Sequence, residues 1–502
     1  MINLAQLLTP YLPLTLPAGA GDLQIADLTQ DSREVRAGSL FMALRGATYH
    51  GLEFARQACA QGAVAILWEP ADGVEPPQLP GNVACIAMPD LSARAGLIAD
   101  RYFGEPSAQL RICAFTGTNG KTTCAFLLAQ CMERLGRSAA YIGTIGWGRV
   151  GALRSLAHTT PDAISMHRML ALLLADGVRD VAIEVSSHAL DQHRIAGVRL
   201  HAAAFTNLTH DHLDYHRTML AYGEAKARLF SSPGLKQCIV NVGDDFGRHL
   251  AERLRDDARL MAAWVDTDGG TDAWSRARHL RARRVHCETR GLTMEFEGTF
   301  GNVALQARLI GRFNAENLAV VLGCLLSLGI GPLQAATALE ACDPPPGRME
   351  IVPSNGEGKP LAVVDYAHTP DALAKALGAL REHCAGELWC VFGCGGDRDP
   401  AKRPMMGAVA DTLADRIIVT DDNPRSENPQ AITRQIAAAF TRHSPQVIGD
   451  RAHAIATALR AAGAADVVLI AGKGHEDYQI YGATRREFSD RSEAMRYLRD
   501  AA

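Results

Sequence analysis

"RICAFTGTNGKTTCAFLLAQCMERLG" (residues 111–136) decides the fold. It opens as an apolar run of strand character, and its later part repeats apolar side chains every three to four positions, as a helix does. Between them stands "TGTNGKTT" (116–123). Strand, glycine turn, helix is the context in which Gly-Lys-Thr acquires chemical meaning. Backbone N–H groups and the helix N-terminus cradle phosphate there. In that reading Gly117, Thr118, Asn119, Gly120 and Thr123 form the cradle, Lys121 balances charge and Thr122 ligates magnesium. The string departs from GxxxxGK[ST], because Phe115 stands where the first glycine belongs and the nearest glycine is Gly117. A glycine turn that merely caps a helix is the alternative. Lys and Thr directly after the glycine favour phosphate.

Outward from this unit, apolar runs alternate with helical stretches along the whole chain. Before it come "SLFMAL", "AVAILW" and "ACIAM", and after it "DVAIEV" (180–185), "AAAFTNL" (202–208) and "QCIVNV" (237–242). Further on are "LAVVDY" (361–366), "LWCVFG" (388–393), "RIIVT" (416–420) and "DVVLIAG" (466–472). Continuous Val/Ile-rich runs between helices predict an α/β fold with parallel sheets covered on both faces. At 502 residues the chain exceeds one ordinary core. Linker-like breaks at "GEPSAQL" (104–110) and "DPPPGR" (343–348) divide it into 1–107, 108–343 and 344–502.

Composition removes several function classes. A net charge of −4 leaves no basic field for nucleic acid or an anionic membrane, and "RARHLRARR" (276–284) is read as a solvated face. The start, "MINLAQLLTPYLPL", lacks a basic n-region and is broken by prolines, which argues against a signal peptide. The most apolar segment, "NLAVVLGCLLSLGI" (317–330), is too short to span a bilayer and reads as a buried helix. Twelve cysteines without a CxxC pair indicate reduced core thiols in a cytoplasmic protein, not a zinc site.

Nearly every later strand ends in a polar, charged or Gly-rich string, and ligands of open α/β sheets bind at those carboxyl ends. "HDHLDYH" (210–216) nearly matches the HxHxDH of metallo-β-lactamase-fold hydrolases, but Tyr215 takes the place of the third histidine. Magnesium prefers oxygen ligands, for which Glu184 at the end of "DVAIEV" is a candidate and His212 an unusual one. Histidines that simply bond polar loops are the alternative. "EVSSHALDQHR" (184–194) suits an anionic, hydroxyl-rich ligand. "FGCGGDRD" lacks the GxGxxG spacing of a dinucleotide site.

Taken together these strings resemble the Mur ligases. The likeness rests on "TGTNGKTT", "EVSSH…QHR", "TNLTHDHLDYH", "EAKARLF", "GRFNAEN", "GRME", "DYAHTPDAL", "GCGGDRD…KRP", "DDNPR" and "GKGHEDYQ". "DSR" and "RAGSLFMALRG" (36–46) extend it into the first segment. The resemblance implies three domains: an N-terminal one for a UDP moiety, a central P-loop-type ATPase and a C-terminal Rossmann-like domain for an incoming amino acid. It implies ATP and Mg2+ as cofactors and amide formation through an acyl phosphate, in peptidoglycan precursor synthesis. The implied substrates are UDP-N-acetylmuramoyl-L-alanyl-D-glutamate and meso-diaminopimelate, with no nucleic acid or membrane partner and a monomeric enzyme.

Carried over by position, Ser32 and Ala47, Thr48 and Tyr49 meet the uridine portion. His158, Thr159, Thr160, Ser186, Gln192 and Arg194 hold the muramoyl-dipeptide, His158 standing where some relatives would have an amide. Asn314, Arg348 and Asp365 join the phosphate loop in holding nucleotide. Glu184, His212 and Lys226 surround magnesium, with Lys226 carbamylated (N6-carboxylysine); by its own sequence context, Lys226 reads as a helical surface residue. Arg398, Asp422, Asn423, Pro424, Arg425, Gly472 and Glu476 form the diaminopimelate pocket.

The rivals are a lysine-adding relative, a folylpolyglutamate synthase-like enzyme and a P-loop ATPase that moves or senses. Arg425 argues against lysine as substrate, because a guanidinium binds a second carboxylate as a planar two-pronged donor.

Overall fold

The computed structural model describes residues 2–11, 16–46, 49–266, 274, 277–288, 291–354 and 358–499. The chain forms two compact units. The first comprises Met1–Lys121, Gly136–Ile239 and Asp257–Arg259, the second Thr122–Leu135, Val240–Asp256 and Leu260–Ala502.

In the first unit, β1 (Ile2–Asn3) and β2 (Gln24–Ile25) make a short antiparallel pair. β3 (Asp27–Thr29), β4 (Ser39–Ala43), β5 (Ala63–Trp68) and β6 (Ala84–Ala87) follow as an all-parallel sheet in sequential order. The helix Leu91–Tyr102 buries Leu91, Ala95, Ile98 and Ala99 in the core of this sheet. Next come β7 (Arg111–Thr116), β8 (Ala139–Gly143), β9 (Gly146–Gly148), β10 (Asp180–Glu184) and β11 (Ala202–Phe205). Their spatial order is β11-β7-β10-β8-β9, parallel except for the β8–β9 hairpin. Crossovers place β7 in the middle, with β10 and β11 on either side. The loops after β7, β10 and β11 therefore emerge at one edge, and Glu184 pairs in register with Phe115. β12 (Gln237–Asn241) carries the chain onward.

The second unit opens with β13 (Leu260–Val265), β14 (Arg278–Glu288), β15 (Gly291–Gly298) and β16 (Val303–Ala307). β14 runs parallel to β13, while β15 and β16 add an antiparallel meander. This extension departs from the expected all-parallel pattern. Its cause is visible in the supposed solvated face: within β14, Leu280 and Ala282 point into the core while Arg281 pairs with Asp266 and Arg283 with Glu297 at 2.6 Å. The segment 317–330 is the buried helix expected, assigned as Phe313–Ser327.

A six-stranded sheet completes this unit: β17 (Glu350–Ile351), β18 (Leu361–Asp365), β19 (Leu388–Phe392), β20 (Arg416–Val419), β21 (Gln446–Val447) and β22 (Val467–Ala471). The order is β17-β18-β22-β19-β20-β21, parallel except for the β17 edge. A hairpin of β23 (Tyr478–Tyr481) and β24 (Thr484–Glu487) follows β22. All twelve cysteines are free thiols. Among the described residues no helix is long and apolar enough to cross a membrane.

Candidate active site

The phosphate loop is shaped by what packs beneath it. β7 continues to Thr116, so Phe115 is a fully buried core side chain and the turn begins one residue later, at Gly117. This is why glycine is missing at 115. A Cβ on Gly117 would stand 1.9 Å from Thr206 Oγ1, so no side chain fits. The strand-end string 206–209 holds the loop from below. Thr118 N–H donates to Asn207 O at 2.8 Å, Asn119 N–H to Asn207 Oδ1 at 2.9 Å, and Thr206 Oγ1 to Asn119 O at 2.6 Å. Gly120, at φ 84, leads into the helix Lys121–Arg134, whose second residue Thr122 is buried and whose third, Thr123, is half-buried.

Two lysines meet the loop. Lys121 folds back so that Nζ donates to Gly117 O at 2.9 Å and Thr118 O at 2.8 Å. Lys226 comes from the helix Met219–Ala227 and donates to the same Gly117 oxygen at 2.7 Å, its Nζ lying 4.3 Å from the centre of the Tyr222 ring. Lys226 is 1% exposed, which corrects the reading of it as a surface residue. The helix turns Tyr222, Ala225 and Lys226 inward together, as the spacing of four between 222 and 226 requires. Burial, reinforced by the charge of Lys121, holds the Lys226 ammonium well below the ordinary lysine range.

Glu184, at the carboxyl end of β10, is buried as well. Its Oε1 accepts from the Tyr141 hydroxyl and from Thr144 N–H at 2.9 Å, and Oε2 accepts from Thr144 Oγ1 at 3.2 Å. A Cβ on Gly143 would come within 2.2 Å of Glu184 Oε1, so glycine is needed there too. The residues expected at the muramoyl-dipeptide grow out from this carboxylate as one network. Thr159 meets Thr144 through hydroxyls 3.1 Å apart, and Thr160 Oγ1 donates to Glu184 O at 2.9 Å. Ser186 N–H donates to Thr160 Oγ1 at 3.1 Å, while Arg194 reaches Thr160 O at 2.8 Å and Gln192 Oε1 at 2.6 Å. His158 is exposed and lies outside this network.

His212 caps the short helix Leu213–His216 in a left-handed conformation, with Nε2 3.4 Å from Asp211 Oδ2. Its ring packs edge-on to His188 at 4.8 Å. His216 bonds Ser187 Oγ at 2.9 Å, so one histidine of "HDHLDYH" does serve loop structure. Burial pushes the His188 and His216 imidazoles toward the neutral form. In the first sheet's loops, Ser32 is buried and donates to Gln57 Oε1 at 3.1 Å, and the Tyr49 side chain is exposed. Ala47 and Thr48 lie outside the described residues.

In the second unit, Asn314 is buried and donates to Ile310 O at 2.7 Å. The Arg348 guanidinium stacks 5.0 Å from the Tyr366 ring. Asp365 accepts from Met349 N–H at 2.8 Å and Ala367 N–H at 2.9 Å; burial pushes its carboxyl up and Arg348 opposes this.

The "DDNPR" string leaves β20 and meets "GKGHE" leaving β22. Arg425 sits at φ 52, with Nη1 donating to Gly396 O at 2.7 Å. Its own backbone pairs with the β23–β24 hairpin: Arg425 N–H donates to Ile480 O at 3.0 Å and Gly482 N–H to Arg425 O at 2.7 Å. Pro424 is buried, and its carbonyl would lie 1.9 Å from a Cβ on Gly396. Asp422 is buried beside Gly472, where a Cβ would come within 2.7 Å of Asp422 Oδ2. Asn423 Nδ2 donates to Glu476 Oε2 at 2.9 Å. Arg398 is exposed at the rim. The basic side chains of Arg425 and Lys473 and the carboxylates of Asp422 and Glu476 thus stand beyond the carboxyl ends of two parallel strands, groups of both signs in one place.

Three family models cover the chain: Mur ligase family, catalytic domain (residues 24–102), Mur ligase middle domain (115–325) and Mur ligase, glutamate ligase domain (347–474). The chain is 44% identical to the UDP-N-acetylmuramoyl-L-alanyl-D-glutamate–2,6-diaminopimelate ligase of Alkalilimnicola ehrlichii over 99% of both. This chain belongs to the Mur ligase family. The enzyme of the same name from Xanthomonas oryzae pv. oryzae is 46% identical to this Mur ligase over 93% of each chain. A solved structure of a ligase so named superposes with a TM-score of 0.72 at 34% identity, covering 98% of both chains.

Several side chains of this Mur ligase escaped the sequence reading. Tyr141 and Thr144 orient Glu184, and Tyr222 lines the Lys226 amine. Tyr141 lies in the middle of an ordinary apolar strand, and only the glycine at 143 hints that a side chain from elsewhere fills that space.

Proposed function

We propose that this Mur ligase joins diaminopimelate to UDP-N-acetylmuramoyl-L-alanyl-D-glutamate with ATP, making an amide of a peptidoglycan precursor. The carrying observation is the cluster of Arg425, Asp422, Asn423 and Glu476 on the loops after β20 and β22, which would offer a guanidinium to a carboxylate and acids to an ammonium. The similar proteins of Alkalilimnicola ehrlichii and Xanthomonas oryzae carry the name of that activity.

A carboxylate and an ammonium do not condense in water, so the carboxylate is first phosphorylated. A carboxylate oxygen attacks the γ-phosphorus of ATP, giving an acyl phosphate and ADP. The neutral amine then attacks the acyl carbon, and inorganic phosphate leaves with the amine's proton. Lys121, the loop's N–H groups and the helix N-terminus stabilise the charge of the transferring phosphoryl group. Thr159, Thr160, Ser186, Gln192 and Arg194 orient the carboxylate-bearing substrate.

Magnesium takes oxygen ligands and retains water. Among the described residues no group of three or more His, Cys, Asp or Glu side chains could hold a metal. Lys226 would complete the donor set if it were modified: burial disfavours its ammonium form, and the neutral amine of a lysine adds carbon dioxide, releasing a proton and forming a carbamate. Glu184, His212 and that carbamate would then hold the ion, which when bound supplies positive charge to phosphate oxygens.

The test is ADP release in the presence of the UDP-dipeptide, comparing meso-diaminopimelate, L-lysine and no amine. Release that depends on diaminopimelate is expected. Release with ATP alone, or equal use of lysine, overturns the reading.

A further inference from the structure

Beneath the pocket assigned to diaminopimelate lies a side chain that none of these steps uses. Lys473 is fully buried, although lysine is almost never so unless paired. Its Nζ donates to Glu476 Oε2 at 3.0 Å and to Asn423 Oδ1 at 3.3 Å, and lies 5.4 Å from the centre of the Tyr478 ring. Asn423 closes the triangle through Nδ2 on the same Glu476 oxygen, and its Oδ1 also accepts from Ile480 N–H at 3.0 Å. One oxygen of Glu476 is thus held by two donors, which leaves Oε1 as the oxygen available to a further donor.

The surroundings make a cation at this place consequential. Asp422 shares the space; burial pushes its carboxyl up and Glu476 adds to this, while Arg451 and Lys473 oppose it. Arg451 is itself fully buried, paired with Asp490 at 2.6 Å, and donates to Asp421 O at 3.3 Å and Ala471 O at 2.9 Å. It ties the ends of β20 and β22 together, whereas Lys473 contacts the reading side chains themselves. Tyr366 and Tyr478 are the other titratable groups facing Glu476, and both phenols are pushed up by burial. Two neighbouring acids in so dry a place would otherwise share a proton or turn apart.

Resting on the proposed reading of this pocket, we propose that Lys473 is a positioning residue for the amino group of the incoming amino acid. It locks Glu476 and Asn423 in one arrangement. Glu476 Oε1 and the Asp422 carboxylate then receive an ammonium while Arg425 takes the neighbouring carboxylate. A lysine that served the fold alone would treat every amino acid alike.

The experiment compares kcat/KM for meso-diaminopimelate and for 2-aminopimelate, which keeps the carboxylates and one amine but lacks the second ammonium. The wild-type enzyme is expected to prefer diaminopimelate by at least about a hundredfold, because the pocket's acids are left unpaired by the analogue. Lys473→Met is expected to cut that ratio by at least about tenfold, with KM for ATP and the UDP-dipeptide within about twofold. Lys473→Gln keeps a donor to Glu476 and is expected to fall between. Glu476→Gln preserves the shape of the site and is expected to cut the ratio as well, whether or not Lys473→Met folds. An unchanged ratio in the position-473 variants, or equal loss toward all three substrates, overturns the positioning role. A wild-type enzyme that accepts neither amino acid overturns the functional reading instead, and this role with it.

Discussion

Lys121 and Lys226 converge on one backbone oxygen, the carbonyl of Gly117, at 2.9 and 2.7 Å. Two full positive charges this close repel, and the buried partner, Lys226, is the one whose proton is weakly held. Of the two lysines that share this oxygen, Lys226 is the one whose charged form burial disfavours.

The stability consequence has a defined sign. The folded-state value of Lys226 is depressed, so between it and the ordinary lysine value the unfolded chain binds more protons, and stability rises with pH across that window. Lys226→Met removes the penalty. In carbon-dioxide-free buffer this variant is expected to melt at or above the wild-type temperature near neutral pH, with the gap narrowing as pH rises toward the ordinary lysine value. Turnover should be lost, and Lys226→Ala should regain part of it with short carboxylic acids. Calorimetry and an ADP-release assay check both; a fully active alanine variant would count against the carbamate.

Lys121→Ala removes the lysine at the start of the helix, whose amine donates to Gly117 O and Thr118 O. Turnover at saturating ATP is expected to fall at least about a hundredfold, the scale of losing one donor to transition-state charge. Near-normal turnover would refute the phosphate-loop assignment.

Gly117→Ala places a methyl group where the Thr206 hydroxyl stands. The loop must shift, and a cost of about 1–3 kcal/mol in the folded state is expected. Isothermal titration with ADP should register weaker binding even where the variant remains folded.

Arg425→Ala should raise KM for diaminopimelate roughly ten- to a hundredfold, the worth of a charge-assisted hydrogen bond, while KM for ATP stays near wild type. Arg425→Lys should recover little, because an ammonium cannot supply the two-pronged geometry. Equal loss toward both substrates would make the stretch scaffold.

The strands that position both proposed sites were legible because each is an unbroken apolar run ending in a polar string, as in "RICAFT" before the loop and "RIIVT" before "DDNPR". β14 was not, since the outward residues of its alternation are arginines whose partners, Asp266 and Glu297, stand on neighbouring segments. Lys226 was misread for a related reason. Its helical spacing from Tyr222 was there to be seen, but the oxygen that receives it belongs to Gly117, far back in the chain. The roles of Tyr141 and Lys473 likewise rest on partners brought near only by folding. What a residue is can be read in sequence; what surrounds it often cannot.

Under the proposed reading of Arg425, its clasp by the hairpin after β22 bears on how amino-acid choice is inherited and redesigned. Main-chain atoms of Ile480 and Gly482 do the holding, so the side chain at 480 can drift without loosening the grip, while the left-handed turn at 482 (φ 57) calls for glycine. The same clasp limits transplantation. Moving only the four letters Asp-Asn-Pro-Arg into a relative that takes another amino acid would carry the vocabulary without its grammar; a working graft needs the hairpin as well.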